Sequence, residues 1–394
     1  MKKPGFKKLL LFTLLCIVGI CLLSIVLSGI NNVGLPTASQ TLDRLSEDQK
    51  VYMEEALHLR QQLGGQLWLG WGEADIPLIV YNEAYAFLVG YSNPPDGWVK
   101  VPVGETRGAT WQPVPGDTFM GETYYRQPLP DPDIVPEAFT VLVGERWVAS
   151  LPTREFMEIG FYRDFPDSLP SFLRSVIPYR LVYRLVMGSA ETYIGGLNHE
   201  ASHAFQGMTN PARLAQAEQI MRVEQSYPFE EATFEASWKE EMRLLLAALD
   251  AKTDAEALDL ARQFWQHREA RRQEFNFSLS LAEYERQREW LEGLAKYSEL
   301  ALGRLAGSTS SYTPVPAIQA ISDFASYQRQ ETLWQQQMTE ATRSALRSGE
   351  TRFYYSGLVQ AALLDRLSSD WKPRILTTDL APEDFLRELT PVQP

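Results

Sequence analysis

Cysteine is nearly absent from this sequence. The 394-residue chain has two, Cys16 and Cys21, and both fall in an apolar N-terminal run. The remainder can form no disulfide and must be held by its core or by a bound metal. Histidine is scarce as well, with four in the whole chain, so any regular spacing between them is informative. Basic charge is short: 37 Lys and Arg face 50 Asp and Glu, for a net charge of −13. Such a surface excludes nucleic acid as a partner and suits solubility. There is no internal repeat and no long low-complexity segment. What is present is the composition of a folded protein, 45% hydrophobic and 11% aromatic, rather than of a disordered one.

The apolar run from Leu9 to about Ile30 carries no charge and has the length of a bilayer-spanning helix. Lys2, Lys3, Lys7 and Lys8 precede it, and no basic residue follows until Arg44. The charge asymmetry predicts a cytoplasmic tail over 1–8, a transmembrane signal anchor over 9–30 and an extracytoplasmic remainder, periplasmic or at the cell surface. A cleaved signal peptide is the competing expectation, because Ser28, Gly29 and Ala38 follow the run. A lipoprotein is disfavoured, because Ile20 stands before Cys21 where a small residue is needed.

After a polar linker over 31–40, apolar residues at helical spacing predict a stalk helix over 42–63. From Gln66 to Leu151 the pattern turns to short β-rich runs at 67–71, 77–81, 84–91, 98–103 and 139–143. The last continues through Gly144-Glu145 into 146–151 as a hairpin. Residues 104–136 are rich in Pro, Gly and Asp and read as loops. Trp68, Trp71, Trp98 and Trp111 are expected in the core. Helical pattern resumes near Thr153. At least three helices are expected over 230–304, with capping-box spacing at Thr253–Glu256 and Ser280–Glu283 marking two starts. Arg268, Arg271 and Arg272 among glutamates read as a solvated helix face, with His267 beside them and His58 on the surface of the stalk. Further helices are expected over 317–348, 353–367 and 382–389.

The chemistry concentrates in Leu197-Asn198-His199-Glu200-Ala201-Ser202-His203-Ala204-Phe205-Gln206. Histidines four apart on a helix share one face, so both imidazoles reach one metal ion while Glu200 faces its open side. This is the zincin arrangement, with one zinc expected per chain. A catalytic zinc needs a third protein ligand. No histidine follows His203 at short spacing, so a carboxylate must supply it. Asn198 and Gln206 flank the motif and either contact substrate or pack the helix.

The segment Glu289-Trp290-Leu291-Glu292-Gly293-Leu294-Ala295-Lys296-Tyr297-Ser298-Glu299 resembles the W-L-N-E-G-F-A-x-Y-x-E segment of the aminopeptidase N family of gluzincins. It keeps Gly293, Ala295, Tyr297 and Glu299, and lacks the asparagine before the glutamate. The resemblance implies Glu292 as third zinc ligand. Ligand histidines usually donate their second nitrogen to a carboxylate, and Glu299, two turns along from Glu292, and Glu289, one turn before it, either serve in this way or form surface salt bridges. Phe353-Tyr354-Tyr355-Ser356-Gly357 is similar to the Y-x-x-G helix of that family and of glycyl aminopeptidases. There a tyrosine stabilises the oxyanion, which implies Tyr354, or its neighbour Tyr355. Two departures stand out: the long interval between His203 and Glu292, and the missing G-x-M-E-N motif that binds a substrate's free amine.

Together these expectations give an α+β chain: the membrane helix, a stalk and β-rich domain over 31–152, and a mostly helical, gluzincin-like zinc domain over 153–394. The expected activity is hydrolysis of peptide or protein substrates by zinc-activated water, with Glu200 as general base. A strand such as 139–143 is expected to flank the cleft, by analogy with gluzincins. The alternatives are an exported binding or assembly protein on the same scaffold, and a zinc amidase acting on a non-peptide amide.

Overall fold

The computed structural model describes residues 12–13, 19, 23–102, 104–129, 141–344 and 349–391. Eight strands form one mixed sheet: β1 Leu78–Tyr81, β2 Tyr85–Val89, β3 Trp98–Lys100, β4 Thr106–Arg107, β5 Gln112–Pro113, β6 Tyr125–Pro128, β7 Val141–Val143 and β8 Arg146–Pro152, in the order β4-β3-β7-β8-β1-β2-β6-β5. β1 runs parallel to β8 with Leu78 opposite Ala149, and β7 pairs antiparallel with β8 through the expected hairpin, Val143 opposite Arg146. Side chains alternate between faces along a strand. Leu78, Val80, Phe87, Val89, Ala149 and Leu151 enter the large core shared with the helices. Their neighbours Ile79, Tyr81, Ala86, Leu88, Val141, Val143 and Val148 join Trp98 and Trp111 in a smaller cluster on the other face. The sheet is therefore buried on both sides, and the larger cluster runs across residue 152 into the helical part.

The helix Ala190–Thr209, which carries both histidines, lies between the sheet and the other helices. It packs on β8, on the Glu47–Leu67 helix and on the Leu294–Ser308 helix. Small residues set these distances: a Cβ on Gly207 would meet the Trp147 ring at 2.5 Å, and one on Gly196 would touch Leu151 at 3.6 Å. A helix buried on all sides must satisfy its polar side chains internally. Asn198 does so by donating to the Ala56 and Ile194 carbonyls, which makes it a packing residue.

Several expectations need correction. No helix among the described residues is long and apolar enough to cross a membrane. The transmembrane anchor over 9–30, and the membrane-anchored location built on it, are therefore not supported, and much of that run lies outside the described residues. The described part, 23–31, is helical and ends against the body of the chain, where Ser28 donates to the Ser175 carbonyl at 2.8 Å. Residues 67–71 are not a strand but the end of the Glu47–Leu67 helix and a turn; Arg60 donates to the Trp71 and Ala74 carbonyls and closes it. β7 cannot flank a cleft as a free edge, because β3 and β8 occupy both of its sides. The 317–348 helix is broken, with a short 3-10 turn at Pro316–Ala320 and a helix at Gln330–Ala341. Thr253 caps its helix as read, whereas the next helix is capped by Ser278 instead of Ser280.

The arginines read as a solvated face are buried: Arg268 and Arg271 are each 1% exposed. Arg268 bonds Glu241, Glu289 and Glu383, Arg271 bonds Glu241 and Glu285, and Arg272 bonds Glu285 and Glu383. The carboxylates come from several other elements, so each guanidinium is matched across tertiary distance. Removing one partner from such a network strands a buried charge. Glu289→Ala should lower the folding free energy by about 3–5 kcal/mol, read as a shift of the denaturant midpoint; a shift below about 1 kcal/mol would show that solvent reaches the cluster.

Candidate metal centre

The Ala190–Thr209 helix brings His199 and His203 one turn apart, with ring centroids 4.8 Å from each other. Glu292 reaches them from a π-helical turn, Glu289–Gly293, which joins the Leu279–Arg288 and Leu294–Ser308 helices. One Glu292 oxygen, Oε2, lies 3.4 Å from His199 Nε2 and 3.3 Å from His203 Nε2. The three ligand atoms lie within 4.8 Å of one another, and the residues are 7–8% exposed. Beyond the two imidazole nitrogens Glu292 Oε2 has no regular hydrogen bond, and Glu200 Oε2 is buried with none; both histidines and Glu292 act on the Glu200 carboxyl through their charges. One carboxylate oxygen converging with two imidazole nitrogens in a buried site fits a divalent cation of the zinc class with nitrogen and oxygen ligands.

The wide turn separates Glu289 from Glu292. Pairing to the fifth residue adds a residue to that turn, so side chains three apart no longer stack. Glu292 faces the histidines, while Glu289 accepts from Arg268 and, at 2.5 Å, from Ser356 Oγ. The expectation that Glu289 supports a ligand histidine is thus corrected. Glu299 does reach one: its Oε2 lies 3.2 Å from His199 Nδ1, and its Oε1 accepts from Lys296 at 2.7 Å. Gly195 leaves room for this carboxylate, since a Cβ there would meet Glu299 Cγ at 3.1 Å.

Gly293 and Gly357 seat the turn against the Thr351–Leu367 helix. A Cβ on Gly293 would meet Gly357 Cα at 2.5 Å, and one on Gly357 would meet the Glu289 carbonyl at 2.6 Å. Backbone therefore touches backbone, and Tyr354, one turn before Gly357, lies over the site. Its ring stacks on His199 at 5.8 Å and 12°. Burial and the charges of Glu292 and Glu350 push its hydroxyl well above the usual tyrosine range, so it remains a proton donor. Tyr355 points elsewhere, toward Gln337 Oε1 at 3.4 Å. Tyr297 is a core residue whose hydroxyl donates to Asp365. His58 bonds the Thr313 carbonyl and His267 bonds Ser237, both away from the site.

Three partners of the site were not anticipated from the sequence. Arg288 donates to Glu292 Oε1 at 2.7 Å, Lys296 holds Glu299, and Gln206 lies 3.0 Å from His203 Nδ1. Each is three or four residues from its partner on one helical stretch, so the i,i+3 and i,i+4 rule could have found them.

Charge is balanced around this cluster. Burial works against the Glu292 carboxylate, but His203, Arg288 and His199 hold it well below the usual range. Burial raises Glu200, which the two histidines only partly offset. Burial would depress His199, yet Glu292 and Glu299 outweigh it and lift the imidazole to about 10; His203 is raised by Glu292 in the same way. A metal ion bound here would have to displace protons, so an apparent zinc affinity would rise with pH below that value, by about tenfold per unit for each proton displaced. Zinc titrations between about pH 6 and 8 check this, and a flat affinity contradicts it.

No family model, curated protein or solved structure matches the chain. The gluzincin resemblance thus remains one of motifs, and the functional argument stands on the geometry of the site.

Proposed function

We propose that the protein is a zinc-dependent metallopeptidase of gluzincin type, with His199, His203 and Glu292 as ligands. The observation that carries this is the convergence of two Nε2 atoms on one Glu292 oxygen, with Glu200, whose Oε2 is buried without a hydrogen bond, between the two histidines on their helix. A structural zinc needs four protein ligands and no general base, whereas three ligands and an adjacent carboxylate suit hydrolysis. A zinc ion held here supplies Lewis-acid polarisation of a carbonyl and a water of lowered pKa. Glu200 Oε2, free of other bonds, takes the proton of the attacking water and passes it to the departing amine. Tyr354 donates its hydroxyl proton in a hydrogen bond to the oxyanion of the tetrahedral intermediate.

The test is metal content and hydrolysis together. About one zinc per chain, removed by chelator with loss of peptide cleavage and regained with added zinc, is the expected result; well-folded protein that takes up no zinc ends the proposal. Within it, Tyr354→Phe should lower kcat by about 10²–10³-fold with zinc still bound, while Tyr355→Phe should leave kcat nearly unchanged. Equal losses in both variants would remove the oxyanion role from Tyr354.

A further inference from the structure

Gln206 lies one turn after His203 and is 1% exposed. Its Oε1 is 3.0 Å from His203 Nδ1, and its Nε2 is 2.7 Å from the Trp290 carbonyl and 3.3 Å from that of Leu291. Carbonyl oxygens only accept, so Nε2 must face them with its two hydrogens and Oε1 must face the imidazole. That oxygen also only accepts. His203 Nδ1 therefore carries a hydrogen, and Nε2 is the nitrogen left to bind metal. It is this Nε2 that lies 3.3 Å from Glu292 Oε2.

The other end of the amide matters equally. Trp290 and Leu291 belong to the π turn and immediately precede Glu292. Such a turn pairs its backbone to the fifth residue instead of the fourth, and besides the Leu294 N–H that the Leu291 carbonyl accepts, a side chain from the histidine helix donates to this carbonyl and to that of Trp290. A single buried amide thus touches the ring of one ligand and the backbone that presents another.

Resting on the metal reading above, we propose that Gln206 is a positioning residue. It fixes the metal-facing nitrogen of His203 and registers the histidine helix against the Glu292 turn. Supports of this kind are worth about 10–100-fold in metal affinity. Leucine at 206 has neither function. Glutamate keeps the acceptor for His203 but loses both donors.

The experiment is zinc competition against a chromophoric chelator, with the Co2+ absorption spectrum recorded alongside, on the full chain and on Gln206→Leu, Gln206→Glu and Asn198→Leu. Gln206→Leu is expected to bind zinc about 10–100-fold more weakly and to change the cobalt spectrum, with Gln206→Glu intermediate. Asn198 is a buried amide on the same helix, 2% exposed and bonded to carbonyls alone. Its loss should lower thermal stability and leave affinity and spectrum unchanged. Folded Gln206→Leu with wild-type affinity and spectrum overturns the proposal.

Should Gln206→Leu fail to fold, Gln206→Glu decides on the same readouts. A measurement independent of zinc is the Gln206 amide in the metal-free wild type, by isotope-edited NMR. Two slowly exchanging protons support the bridge, and two freely exchanging ones overturn it. Wild-type protein with protected amide protons that binds no zinc would keep the bridge and sink the metallopeptidase reading instead.

Discussion

Glu200→Gln should retain its zinc and lose about 10²–10⁴-fold in kcat. The substitution changes almost no volume, and the residue is 7% exposed with one carboxylate oxygen bound to nothing. Packing is therefore unaffected, and what is lost is the ability to accept a proton. Burial raises the Glu200 carboxyl above its ordinary value while His203 and His199 draw it down, which brings it nearer the range where a base can also return its proton. The acidic limb of the wild-type profile of kcat/KM should reflect this group and should be missing from any residual activity of the variant. Zinc content is measured beside the rate, because the two outcomes separate the roles. Full activity with zinc bound would remove Glu200 from the chemistry, and loss of zinc with activity would make it a structural group.

What the sequence could show follows from distance along the chain. His199, Glu200 and His203 are fixed relative to one another by helix geometry alone, and the structure keeps them together. Glu292 lies far along the chain, and only a motif resemblance singled it out. The adjacent Tyr354 and Tyr355 could not be separated by pattern; the close approach of Gly293 and Gly357 turns the first toward His199 and the second toward Gln337. The π turn is invisible to a search for helical period, because a single wider turn barely disturbs it, yet it decides that Glu292 and not Glu289 faces the metal set.

Charge misled most where the partners are distant. Arg268, Arg271 and Arg272 alternate with polar residues as an exposed helix would, and nothing local signals that Glu241, Glu285, Glu289 and Glu383 cover them. β1, β2, β3, β7 and β8 were legible as short runs, whereas β4, β5 and β6 lie in the 104–136 stretch read as loops, and the order was not legible: β7 looks like a peripheral strand in sequence and is paired on both sides in the sheet. An apolar run of bilayer length, for its part, shows hydropathy only. Where its described end is folded, Ser28 bonds a carbonyl of the protein body and Asn32 bonds that of Ile177.

Glu292→Ala should abolish stable zinc binding. The variant leaves two imidazoles on one helix face, and two nitrogens do not make the three-ligand set of a catalytic zinc. The loss should exceed the roughly 10–100-fold that follows removal of a supporting partner, so Glu292→Ala must be weaker for zinc than Gln206→Leu. A second consequence comes from Arg288. In the wild type its guanidinium is 4% exposed, donating to Glu292 and paired with Glu350. Alanine removes one of these two carboxylates and leaves the buried cation less well matched, so thermal stability should fall even in metal-free protein. Glu292→Gln separates the effects: its amide oxygen can still accept from Arg288 and it fills the same space, but it is a neutral, poor ligand. Metal-free Glu292→Gln should therefore be more stable than metal-free Glu292→Ala while binding zinc nearly as weakly. If Glu292→Ala takes up zinc with wild-type affinity in a competition assay, the third ligand is another residue and the π turn has no part in the metal centre.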